Sequence, residues 1–122
     1  MKEAILAFGC EPLLPLLTRA FAPINVTVKT VPTEDCAQTL GALAGEFGCP
    51  RSPVVNETVF PEPMIVLCGF QNMRIDAVLQ ALQNAGLNLP YKAVLTKSNK
   101  KWTPMQLLAE LRRERAEMEK SK

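Results

Sequence analysis

Four cysteines and one short basic loop are the residues in this chain whose chemistry goes beyond packing. Cys10 follows Gly9 at the end of an apolar run, and Cys68 precedes Gly69 at the end of a second; Cys36 and Cys49 stand apart from both. A thiol next to a helix start is activated when aligned amides lower its pKa, which makes Cys10 and Cys68 the candidates for thiol-dependent catalysis. Against catalysis, the chain has no histidine to act as base and no Cys-x-x-Cys pair. Widely spaced sulfurs also give no metal motif, so neither a metal nor a cofactor is expected and the thiols should be reduced. The basic loop consists of Lys97, Ser98, Asn99, Lys100 and Lys101. It lies between a strand pattern and a leucine-rich helix, where open α/β sheets bind ligands and exposed amides favour anions.

The elements that would position these residues repeat. Residues 4–8 form an apolar run, and Leu13, Leu16, Leu17, Ala20 and Phe21 then recur at helical spacing. Residues 26–31 alternate as a strand does, and Cys36, Leu40, Leu43 and Phe47 predict a helix ended by Gly48. Residues 64–68 form a second apolar run. Ile75, Val78, Leu79 and Leu82 make a helical stripe up to Gly86, residues 93–96 are a strand, and Leu107, Leu108 and Leu111 line a last helix.

The order is therefore βαβα twice, over residues 1–48 and 64–122, joined by a connector at 49–63, all within one domain of 122 residues. Ile5 to Gly9 lie on Ile65 to Gly69 strand for strand and glycine for glycine, which suggests internal duplication. Strands this apolar need cover on both faces, so the expected fold is α/β, with a four-stranded, mostly parallel sheet of order 2-1-3-4 flanked by helices. The connector, with Pro50, Pro53, Pro61 and Pro63 among several valines, should pack on the surface, even as an edge strand.

Within the last segment local rules agree on a helix start. Thr103 as N-cap makes Pro104 the first helical residue, Gln106 the partner in a capping box, and Trp102 with Leu107 a hydrophobic staple. This leaves the five loop residues without a structural explanation.

The segment also carries a likeness. Lys92 to Thr96, Asn99, Trp102, Leu107, Leu108, Glu110 and Leu111 resemble a group of small bacterial proteins classed as a domain of unknown function. The likeness spans residues 63–115 and implies a bacterial cytoplasmic protein, with no catalytic residues to carry over.

Charge separates the halves. Up to Glu62 four bases face seven acids; from Pro63 onward ten bases face five acids. Lys92, Arg112 and Arg115 could extend the basic loop toward phosphate, nucleic acid or a small anionic ligand. Interleaving of Arg112, Arg113 and Arg115 with Glu114, Glu117 and Glu119 is the usual look of a solvated helix, however. Early prolines and glutamates break the first apolar stretch, so no membrane span is expected and a cytoplasmic location is. Gly41 and Gly45, spaced four apart, would give one helix a flat face laid close against the sheet or a neighbouring subunit, and the final helix should outrun the sheet. Either surface suits a homodimer. The reading is of a non-catalytic binding or protein-interaction module, with a phosphate or nucleic-acid binder and a thiol-dependent enzyme as alternatives.

Overall fold

The computed structural model describes residues 3–120 and forms a four-stranded sheet with helices on both faces. The elements run β1 (Ala4–Phe8), α1 (Leu14–Phe21), β2 (Val28–Thr30), α2 (Leu40–Ala44), β3 (Met64–Cys68), α3 (Asn72–Asn84), β4 (Tyr91–Val94) and α4 (Pro104–Lys120). Short 3₁₀ turns at Glu11–Leu13, Ala22–Ile24 and Thr33–Ala37 link them. The strand order is β2-β1-β3-β4, as the patterning predicts.

Strand direction is mixed. β1 is parallel to β2 and β3 is parallel to β4, but the central pair, β1 and β3, is antiparallel. Its register sets Ala4 opposite Cys68, Leu6 opposite Val66 and Phe8 opposite Met64. The pairing is thus symmetric about Leu6 and Val66, and each half of the sheet faces the other head to tail.

Side chains of a strand alternate between faces, so the two central strands supply two cores. Leu6, Phe8, Met64, Val66 and Cys68 join Leu40 and Leu43 of α2 and Leu107 and Leu108 of α4. Ile5, Ala7, Ile65 and Leu67 join Leu17 and Phe21 of α1 and Val78 and Leu82 of α3 on the opposite face. Every residue of β3 is buried. Among the described residues no buried side-chain nitrogen or oxygen lacks a partner.

Four sequence expectations are corrected. The helix predicted across Cys36 to Phe47 is broken: Gln38 and Thr39 are extended, with ψ of 156° at each. The cause is Gln38, whose buried amide accepts from Ser52 N–H at 2.7 Å and donates to the Ser52 carbonyl at 2.6 Å. A new helix then starts with Thr39 as N-cap and ends at Gly45, whose φ of +74° is the left-handed conformation that Gly48 was expected to supply. Phe47, predicted to extend the apolar stripe, is fully exposed.

The connector forms no strand. It is held instead by Asn56, whose side chain donates to the carbonyls of Thr33 and Thr58, and by Phe60, which packs against Phe8 with ring centroids 5.4 Å apart. Val54, Val55 and Val59 are exposed rather than packed. The two outer strands also shift in extent: β2 is shorter than 26–31, and β4 starts earlier than 93–96 because Tyr91 pairs with Met64.

The two α2 glycines do not form one flat face. Gly45 is exposed, whereas Gly41 is buried by the chain itself, and a Cβ there would stand 2.5 Å from Cys49 Sγ and 3.0 Å from the Lys100 carbonyl oxygen. Gly41→Ala should therefore lower stability by about 1–2 kcal/mol, measured by urea unfolding. Adding Cys49→Ala should recover part of the loss, since it removes the nearer obstacle. A Gly41→Ala protein as stable as wild type would show that α2 can retreat from the loop.

Candidate functional site

The antiparallel seam divides the predicted site residues between two ends of the sheet. Gly9 and Cys10 leave β1 beside the start of β3, while Gly69 and the 97–101 loop leave β3 and β4 at the opposite end. With five-residue strands the two ends lie roughly 16 Å apart. Cys10 and Cys68 are thereby held at opposite ends of the central strands. They also face opposite cores, Cys10 toward α1 and α3, Cys68 toward α2 and α4.

Gly9 is required by backbone geometry. Its φ is +64°, and a Cβ would come within 2.9 Å of the Glu62 carbonyl oxygen, where the connector enters β3. Cys10 lies beneath this crossing, fully buried, with Sγ 3.3 Å from the Phe8 carbonyl and 3.8 Å from that of Met64. Burial raises its pKa above the ordinary thiol value. The same cause pushes Cys68 up to about 12; burial, reinforced by nearby Asp35, Glu11 and Glu34, pushes Cys36 up to about 11. An activated nucleophile needs the reverse shift.

The 97–101 loop is built largely from its own polar groups. Asn99 is buried; its side-chain oxygen accepts from Thr96 N–H at 2.8 Å, and its amide donates to the Val94 carbonyl at 3.0 Å. Its backbone N–H donates to Thr96 Oγ1, the Lys100 N–H to the Thr96 carbonyl, and the Trp102 N–H to the Asn99 carbonyl. The loop's carbonyls are engaged as well. Those of Trp102 and Lys100 each accept, at 2.8 Å, from the N–H groups of Leu40 and Gly41 in the first turn of α2. The loop thus caps a helix of the other half of the chain.

The predicted capping box is present. Thr103 N–H donates to Gln106 Oε1 at 2.8 Å, and Gln106 N–H donates to Thr103 Oγ1 at 3.3 Å. Trp102 packs on the cluster that contains Leu107. Of the loop's polar side chains Asn99 is thus fixed inward and Lys100 lies 3.6 Å from Glu46, while Lys97, Ser98 and Lys101 are exposed. Lys92 donates to the Leu89 carbonyl; Arg112 pairs with Glu62 at 2.6 Å, and the Arg115 guanidinium lies 5.9 Å from the Tyr91 ring centroid.

An apolar concavity lies elsewhere. A groove of about 540 Å³ runs between α1 and α3, lined by Leu16, Ala20 and Ile24 on one side and Ala77, Ala81 and Ala85 on the other, with Arg19, Gln80 and Asn84 also on its wall. Small side chains leave open what larger ones would fill. The alanines at 77, 81 and 85 recur every fourth residue, which places them on one helical row and is the signal in the sequence that points to the groove. One end is fixed by Arg74, which bridges Glu3 at 2.9 Å and donates to the Ile24 carbonyl at 2.8 Å.

Among the described residues no group of three or more His, Cys, Asp or Glu side chains could hold a metal, and no helix is long and apolar enough to cross a membrane.

Residues 63–118 match the family model described as Domain of unknown function (DUF3783), in agreement with the resemblance read from the second half of the sequence. The matched segment covers β3, α3, β4 and most of α4. No curated protein and no solved structure matches the chain.

Two outcomes follow from this geometry. Asn99→Ala should lower stability by about 2–4 kcal/mol, because the Thr96 N–H and Val94 carbonyl lose their partner, whereas Lys97→Ala and Lys101→Ala should change it by less than about 0.5 kcal/mol. Chemical unfolding of the three variants checks this, and a neutral Asn99→Ala would refute a structural role for that side chain. Alkaline pH tests the thiols. Folding keeps the Cys68 thiol protonated, so its contribution is complete below the unfolded value of 9.0 and is lost as pH rises from 9 toward about 12. The stability gap between wild type and Cys68→Ala should therefore narrow above pH 9; a gap constant to pH 11 would mean that the buried thiol ionises as readily as a free one.

Proposed function

We propose that this protein is a non-catalytic binding module whose ligand seats in the groove between α1 and α3. The observation that carries the reading is the groove itself, with a volume inside the range of small-molecule sites, roughly 300–1,000 Å³, and mainly apolar walls bearing a few polar groups. The state of the other candidates supports it. The Cys10 and Cys68 thiols are buried with raised pKa values, which weighs against the thiol-enzyme alternative. The loop amides of Asn99, Lys100 and Trp102 already have acceptors, so a phosphate or nucleic-acid site there would have to draw on the remaining amides of the loop and on the side chains of Lys97, Ser98, Lys100 and Lys101.

We also read the two βαβα halves as a duplicated unit. The register symmetric about Leu6 and Val66 supports this, and so does a family match that begins within a residue of β3 and spans the second half alone.

A fragment screen read by thermal shift tests the groove. A ligand that binds the folded state raises the melting temperature by mass action. Fragments that stabilise wild type should fail to stabilise Ala81→Trp, in which the indole fills the space. Equal stabilisation of both proteins would place binding elsewhere and overturn the reading.

A further inference from the structure

Charge on the groove wall narrows the ligand class. Of the residues lining it, Arg19 alone is charged, and no carboxylate is among them. Arg19 belongs to the last turn of α1, where a cation complements the helix carbonyls, and among the described residues it has neither a hydrogen bond nor an ion pair. The other nearby arginine, Arg74, is occupied by Glu3 and the Ile24 carbonyl. Gln80 and Asn84 hydrogen-bond to each other at 3.0 Å along the α3 wall and add polarity without charge. The groove therefore offers an apolar trough of alanine, leucine and isoleucine side chains beside a single unpaired guanidinium.

From this complementarity we infer that the groove takes a small amphiphile, an aliphatic chain ending in one anionic head. The chain lies against Ala20, Ala77 and Ala81, where its burial supplies most of the affinity, and the head meets Arg19. A planar guanidinium matches a carboxylate in two parallel hydrogen bonds, which favours a carboxylate over a neutral alcohol of the same length. Because the pair stays partly solvated, its share of the binding is small and salt-sensitive.

This ligand class rests on the groove reading proposed above, and the test separates the two. Decanoate, kept well below its micelle concentration, is titrated into the full chain at low and high salt, with decanol as the uncharged control and amide chemical shifts as the readout. The expected result is saturable binding of one decanoate, with shifts concentrated at Leu16, Ala20, Ala77 and Ala81. Decanol should bind more weakly, and Arg19→Gln should lose roughly threefold to fivefold in affinity for decanoate but not for decanol. Arg19 is exposed, so this substitution leaves the packing intact. Equal binding of decanoate and decanol, indifferent to Arg19→Gln, would overturn the anionic head while leaving the groove as the site. Decanoate that perturbs only amides outside the groove, or none, would overturn the amphiphile. In that case fragments still excluded by Ala81→Trp would preserve the groove reading, and their absence would end it too.

Discussion

Antiparallel pairing of β1 with β3 is the constraint on which the rest of this molecule depends. Both strands are buried on both faces, so neither is tolerated at a sheet edge, and each supplies the other's inner hydrogen bonds. Once Leu6 stands opposite Val66, the parallel partners β2 and β4 are forced to the outside, and the helices of the two halves meet in pairs across the sheet. α1 then lies beside α3 over one core, and α2 and α4 cover the other. The same pairing sends the carboxyl ends of β1 and β3 in opposite directions. A single site drawing on the ends of all four strands, as in a fully parallel sheet, is excluded by that one register.

How much of this was legible in the sequence follows from the range of the interactions involved. Strand order and the two-layer cover were readable because the apolar runs of β1 and β3 and the stripes of α1 and α3 are local patterns. The start of α4 was readable in detail, since Thr103 and Gln106 cap within one turn. The direction of β3 relative to β1 was not, because no local pattern distinguishes parallel from antiparallel pairing across a long connector. The break in the second helix escaped for a related reason. Cys36, Leu40 and Leu43 do face one core, as their spacing implies, but Gln38 is drawn out of helical geometry by Ser52, fourteen positions away.

The loop at 97–101 illustrates the same distinction for the candidate site. Its lysines and asparagine look unexplained when neighbouring residues alone are considered. In the folded chain Asn99 closes the turn after β4, and the carbonyls of Lys100 and Trp102 receive the first N–H groups of α2. In three dimensions the loop forms the joint between the halves. The groove between α1 and α3 was missed for the opposite reason: alanines draw no notice in a sequence, although their four-residue spacing on α3 marks a lane that no large side chain crosses.

The two outer strands bear on how such a sheet coexists with other copies of itself in a crowded solution. β2 has three residues and β4 four, and each carries an exposed lysine within it, Lys29 and Lys92. Each ammonium is directed to a backbone carbonyl near its strand, that of Leu43 for Lys29 and that of Leu89 for Lys92. A strand docking on either rim would be short of partners within about 13 Å and would have to dehydrate a fixed positive charge. The symmetry that gives the sheet two open rims has thus been matched by a guard on each, so that a fold made by joining strands edge to edge stops at four.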